Sequence, residues 1–168
     1  TGKKELIDKV RMYRNHGRRT QFEYDVVGYN SRIDNLQAVV IESKLKKLNE
    51  WTEKKRKICQ RYTAELKGIV KCPEEAPWSY HTYYVYVIET PKGTRDKLQK
   101  FLTDRGIGTN IHYKNPTHTT KAFREYNWWP LPRTEYVCKN ILSLPCYGTI
   151  QEHHQEYVIK AVRDFYGN

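Results

Sequence analysis

His112 and Tyr113 close a stretch of alternating apolar residues, and His118 follows six positions later. Imidazoles at the end of a strand suit a metal or an anionic ligand, because the neutral ring coordinates and the protonated ring pairs with anions. A metal would need a third ligand at suitable spacing, and none is apparent, so no metal site is expected. Asn30 and Arg32 stand just ahead of a helical pattern. Backbone N–H groups at a helix N-terminus, joined by a guanidinium, make a phosphate or carboxylate site. The plainer alternative is helix capping with a surface ion pair. His153-His154 falls in the first turn of the last helical pattern without an H-E-x-x-H arrangement and reads as surface. Cys59, Cys72, Cys138 and Cys146 include no C-x-x-C pair, which argues against a zinc ribbon or a redox motif. No Ser-His-Asp set, glycine-rich phosphate loop or paired-carboxylate motif occurs.

The elements that must position these residues are readable from periodicity. Leu6, Ile7, Val10 and Tyr13 recur at helical spacing over residues 3–14, starting from Thr1-Gly2, and Asn15-His16-Gly17 supplies a stop. Ser31-Arg32-Ile33-Asp34 has capping-box spacing and opens a helical pattern that runs to Leu66, with Gly68 beyond it. One helix of that length would extend about 50 Å, more than a domain this small covers, and Asn49 could cap a second helix, so a break near 48–50 is expected. Residues 80–89 are β-branched and aromatic on both faces and predict a central strand. Thr94 is placed to cap a helix carrying Leu98, Phe101 and Leu102, and Ile107, Thr109, Ile111 and Tyr113 alternate as a second strand. Residues 114–133, with Trp128-Trp129-Pro130, form a long loop of the kind that is more often functional than idle. A short helix with Cys138, Ile141 and Leu142 follows, then a last helix announced by Thr149-Ile150-Gln151-Glu152. The pattern is a helical arm followed by an α+β unit, the sheet small and mostly antiparallel.

Composition narrows the function classes. The chain has 168 residues, 38% of them hydrophobic and 13% aromatic, enough to bury a core without disulfides. No apolar run approaches the roughly 18 residues of a membrane span. Scattered cysteines and the absence of a secretory leader at the front predict a reducing cytoplasm. The net charge of +11 raises nucleic-acid binding. The densest basic stretch, Lys44 to Lys57, alternates with Leu45, Leu48 and Trp51 and reads as the solvated side of an amphipathic helix. No nucleic-acid recognition motif accompanies it.

Three segments in order carry a family likeness. They are Lys9-Val10-Arg11-Met12-Tyr13-Arg14-Asn15-His16-Gly17, then Tyr24-Asp25-Val26-Val27-Gly28-Tyr29-Asn30-Ser31-Arg32-Ile33-Asp34-Asn35-Leu36-Gln37-Ala38, then Gly106-Ile107-Gly108-Thr109-Asn110-Ile111-His112-Tyr113. With Leu142-Ser143-Leu144-Pro145-Cys146-Tyr147 before the last helix, the chain resembles the C-terminal part of the DegT/StrS family, pyridoxal-phosphate-dependent aminotransferases acting on nucleotide-linked keto sugars. The resemblance spans essentially the whole chain.

The resemblance implies a fold-type I aminotransferase working as a homodimer with shared active sites. Residues 1–33 would be the end of the large domain with a cross-subunit loop, 34–67 connecting helices, and 68–168 the C-terminal small domain. Asn30 would reach the cofactor phosphate of the neighbouring subunit. Arg32, His112, Tyr113 and His118 would be substrate contacts, although Lys114 stands where the family commonly has Pro. The Schiff-base lysine is expected upstream of residue 1, so the chain alone would be inactive and would hold no cofactor stably. The intact enzyme would use an amino donor such as glutamate. Two alternatives remain: a non-catalytic dimerisation or binding module, and a basic nucleic-acid binder.

Overall fold

A computed structural model describes residues 2–126 and 129–167, with Arg124 described by its backbone alone. Thr1 of the helix-start reading and Trp128 of the aromatic loop therefore lie outside the described residues. The elements are α1 (Lys4–Tyr13), α2 (Asn35–Leu66), β1 (Tyr86–Glu89), α3 (Arg95–Thr103), α4 (Pro132–Asn140), β2 (Ile141–Leu144) and α5 (Glu152–Tyr166), with 3-10 turns at Thr117–Thr119 and Lys121–Tyr126. The break expected near 48–50 is absent. Salt bridges one turn apart, Lys46 to Glu42 at 3.2 Å and Lys54 to Glu50 at 2.6 Å, flank a helix that continues through Asn49. The chain divides into two compact units, 1–48 and 49–168.

The second unit holds the hydrophobic core. Cys59, Tyr62 and Leu66 are fully buried and fall on one stripe of α2. Tyr86 and Ile88 of β1, Leu98 and Leu102 of α3, Leu142 of β2 and Val162 of α5 meet them. β1 and β2 pair antiparallel, Tyr86 opposite Leu144 and Glu89 opposite Ile141. Single antiparallel bridges, Lys71 with Glu89 and Asn110 with Ser143, widen the sheet on both sides.

Three sequence expectations are corrected here. The strand expected over 80–89 is only Tyr86–Glu89, because side chains take the ladder groups before it. Glu75 accepts the His81 N–H at 2.7 Å, Arg56 donates to the His81 carbonyl at 2.7 Å, and the His81 ring accepts the Tyr83 N–H at 2.9 Å. The strand expected over 107–113 shrinks to the bridge at Asn110, whose own side chain accepts the Ile111 N–H at 2.8 Å. The short helix expected to include Ile141 and Leu142 ends at Asn140, and those residues form β2, buried on both faces.

The first unit is built differently. Among its described residues only Gly17 is buried. Leu6 and Val10 of α1 and Leu36, Val39 and Leu45 of α2 are exposed. Backbone bonds hold it instead: Tyr29 N–H to the Tyr13 carbonyl at 2.7 Å, His16 N–H to the Tyr29 carbonyl at 2.9 Å, and Ser31 N–H to the Arg14 carbonyl at 2.9 Å. This pairing requires glycine at two places. A β-carbon on Gly28 would overlap the Gly17 nitrogen and lie 2.6 Å from the His16 carbonyl carbon, and Gly17 itself has φ +79°.

The start of α2 is also shifted from its expected place. The Asp34 N–H donates to the Gln37 side chain at 3.1 Å, so the capping box is Asp34 with Gln37 rather than Ser31 with Asp34. At α5 the residue before the helix is Gln151 and no side chain caps it, so Thr149 does not serve as the expected cap.

Gly28→Ala is expected to lower hydrogen-exchange protection of the Tyr29 and Ser31 amides about tenfold or more, an opening easier by at least about 1.4 kcal/mol. Unchanged protection at both amides would refute the close-approach account.

Candidate functional site

In the first unit, the pairing of residues 14–16 with 29–31 carries Asn30, whose backbone bridges Asn15 and whose side chain is exposed. Arg32 lies two residues on and lines a cavity of about 750 Å³ together with Arg14, Asn15, Arg18 and Arg19, and with the carboxylates of Glu5, Asp8 and Asp25, which pair with Lys9, Arg11 and Arg19. Arg19 is paired with Glu23 at 3.4 Å and Asp25 at 3.3 Å, and Arg18 donates to the Tyr24 hydroxyl at 3.1 Å. Arg14 and Arg32 have no ion pair among the described residues. Unneutralised guanidiniums in one concavity are a receptor for phosphate or carboxylate. Asn30 is not among the residues lining it.

In the second unit, His112 borders a cavity of about 270 Å³ with Tyr84, Thr109, Asn110, Ser143 and Cys146. The His112–Tyr113 peptide is cis. A chain of hydrogen bonds fixes the ring. Asn110 uses its carbonyl oxygen on the Ile111 N–H, so its amide nitrogen is the end that faces His112 Nε2 at 3.3 Å. An amide nitrogen only donates, so Nε2 accepts and the ring proton sits on Nδ1, which donates to Ser143 Oγ at 2.8 Å. Thr109 is a residue of the same cavity, and its Oγ1 is buried without a hydrogen-bond partner among the described residues.

Tyr113 is exposed, its ring 5.6 Å from that of His112 and nearly perpendicular to it. His118 goes elsewhere. It sits in the Thr117–Thr119 turn, pairs with Glu135 of α4 at 3.3 Å and does not line the His112 cavity. The sequence expectation groups His112, Tyr113 and His118 and does not include Asn110, Ser143 and Thr109, which share the cavity with His112. Their signal was present, since Asn110 and Thr109 belong to the segment that carries His112, and Ser143 interrupts an otherwise apolar strand. Among the described residues no group of three or more metal-ligating side chains comes together, and no helix is long and apolar enough to cross a membrane.

The model of the DegT/DnrJ/EryC1/StrS aminotransferase family matches residues 1–163. The chain belongs to this family. A pleiotropic regulatory protein of Geobacillus stearothermophilus is 37% identical over 172 aligned positions, covering 99% of this chain and 46% of that protein. The dTDP-3-amino-3,4,6-trideoxy-alpha-D-glucose transaminase of Streptomyces venezuelae is 32% identical, over 98% of this chain and 44% of its own length. The crystal structure of a family aminotransferase from Brucella abortus superposes on the whole chain with a TM-score of 0.94 at 34% identity, and the match covers 45% of that structure. The chain therefore spans somewhat less than half the length of these relatives. It has the fold of the family's small α+β domain preceded by a helical arm, as the sequence predicts, with a small antiparallel sheet flanked by helices.

Ser143→Ala is expected to remove one net hydrogen bond, worth about 1 kcal/mol, and to release the His112 ring into a mixture of tautomers. Nitrogen-15 NMR of the imidazole reads this directly, and a wild-type ring protonated at Nε2 would contradict the network.

Proposed function

We propose that this chain is the C-terminal portion of a pyridoxal-phosphate-dependent aminotransferase that delivers an amino group to a nucleotide-linked keto sugar. The carrying observation is the glycine-locked loop that turns Asn30 outward, in a chain that belongs to a family whose relatives include nucleotide-sugar transaminases. In this reading residues 1–33 close the large domain and form a loop crossing between subunits, 34–67 connect, and 68–168 are the small domain.

The residues fit the roles. Asn30 carries an exposed amide donor on a backbone fixed by its bridge to Asn15, suited to a phosphate oxygen of a cofactor in a neighbouring subunit. Arg32, beside the unpaired Arg14, offers a fork to an anionic substrate group. His112, locked in one tautomer by Asn110 and Ser143, gives the cavity a fixed polar wall against which a sugar can lie, and Tyr113 adds an exposed ring. His118, paired with Glu135 outside the His112 cavity, would meet the substrate from a separate position at the Thr117–Thr119 turn. When bound, pyridoxal phosphate supplies the electron sink that transamination requires. The lysine that bonds it belongs to a segment upstream of residue 1, so the chain alone is inactive and holds no cofactor stably. The amino donor is an amino acid such as glutamate, and the enzyme works in the cytoplasm.

The exposed apolar faces of α1 and the first half of α2, with Leu36 at 84% and Val39 at 65% exposure, favour burial, that of α1 against the large domain and that of α2 against a second subunit of a homodimer. Two measurements test the proposal. Borohydride treatment of this chain with pyridoxal phosphate is expected to leave no defined lysine adduct, and a single modified lysine would overturn the upstream assignment. In the full-length protein, His112→Ala is expected to lower kcat/KM for a dTDP- or UDP-linked keto sugar about 10- to 100-fold. A variant with wild-type kinetics would remove His112 from the site.

A further inference from the structure

Cys59 and Cys146 have no part in the proposed transamination, yet their sulfurs lie 3.1 Å apart. Cys59 is on α2 and fully buried, whereas Cys146 follows β2, is half-buried and lines the His112 cavity. We propose that this pair is a thiol-modification site: Cys146 takes up a low-molecular-weight disulfide, and Cys59 resolves it into an intramolecular Cys59–Cys146 bond.

Burial sets the order of events. A reagent entering from solvent meets Cys146 at the cavity and cannot meet Cys59, which has no exposed surface. The Cys146 thiolate attacks one sulfur of the reagent disulfide, forming a mixed disulfide and expelling one reagent thiolate. Cys59, having given up its proton, then attacks the Cys146 sulfur and expels the second reagent thiol. The reagent is reduced by two electrons, the two cysteines are oxidised by two, and the two thiol protons leave with the reagent halves. The sulfurs need to close by about 1 Å to reach bonding distance, a movement within reach of side-chain rotation.

The surroundings favour the same division of labour. The Cys59 contact holds the Cys146 thiol below its ordinary range, helped by the charge of Lys55 and opposed by burial. The same contact and burial push Cys59 up. Lys55 is itself anchored nearby, donating to the carbonyl of Tyr84, another residue of the cavity, at 3.2 Å. Cys72 has a different environment, its sulfur 3.9 Å from the Val70 carbonyl, and Cys138 is buried on α4. The new bond would tie α2 to the chain beyond Pro145, whose carbonyl already accepts the Tyr62 hydroxyl at 3.0 Å, across a sequence separation of 87.

The site stands whether or not the cavity takes a sugar, so its test is independent of activity. The folded protein is treated with glutathione disulfide, quenched in acid, alkylated and peptide-mapped. The expected product is a Cys59–Cys146 linked pair of peptides, lighter by the two thiol hydrogens and restored by dithiothreitol, with Cys72 and Cys138 alkylated. Cys59→Ala is expected to stop at a persistent glutathione adduct on Cys146, and Cys146→Ala to leave Cys59 reduced. Four free thiols in the wild-type map, a lasting adduct on wild-type Cys146, or Cys59 joined to Cys72 or Cys138 would each overturn the proposal. The wild-type map alone decides the matter if the Cys59→Ala chain does not fold.

Discussion

A segment without a hydrophobic core keeps its shape only if its backbone pairs with itself, and in the first unit that pairing depends on Gly17 meeting Gly28. The bonds from residues 14–16 to residues 29–31 form because neither glycine carries a β-carbon, and a methyl on either would strike backbone rather than a yielding side chain. The two glycines come from the first two of the three segments that carry the family likeness. Their spacing in sequence thus records a contact in space. Asn30 and Arg32 inherit their placement from it, and the Asp34–Gln37 box then starts α2 immediately afterwards.

The second unit solves a different problem, how to end strands next to a polar site. Its sheet is short because side chains intercept backbone groups on either side of it. Glu75, Arg56 and His81 occupy the groups ahead of β1, and Asn110 turns its own carbonyl onto the following amide. The Arg56–Glu75 pair, at 2.8 Å, keeps the Glu75 carboxyl below its usual range, first through that hydrogen bond and then through the His81 N–H. The stability it contributes is therefore present above the ordinary carboxylate range and is lost as pH falls through the lowered folded-state value. At the other edge, the same economy of donors leaves His112 with one tautomer and Thr109 with an unspent hydroxyl.

Much of this was legible in the sequence, and the failures have physical causes. Periodicity located α1, α2, α3 and α5, because each carries apolar residues at helical spacing that tertiary contacts do not override. Strand content is overestimated at 80–85 and 107–113, where β-branched and aromatic composition is real but side chains take the ladder groups, Arg56 from α2 with Glu75 and His81 at the first and Asn110 itself at the second. Composition cannot reveal that competition. Ile141 and Leu142 were read into a helix because four apolar-rich residues are too few to display a period. The break in α2 was argued from the size of a lone domain, a premise that fails for a chain spanning less than half the length of its relatives. Spacing and the family likeness group His118 with His112, whereas the turn at Thr117–Thr119 places it against Glu135 and outside the His112 cavity.

The central claim is that the Asn30 loop serves a cofactor held by another subunit. A crystal structure of the full-length protein with pyridoxal phosphate tests it most directly. The account predicts the Asn30 amide nitrogen within hydrogen-bonding distance, about 2.9 Å, of a phosphate oxygen of the cofactor bound to the neighbouring subunit, with the Gly17–Gly28 contact intact. An Asn30 side chain facing solvent, with the cofactor phosphate held wholly by residues of its own subunit, would contradict it.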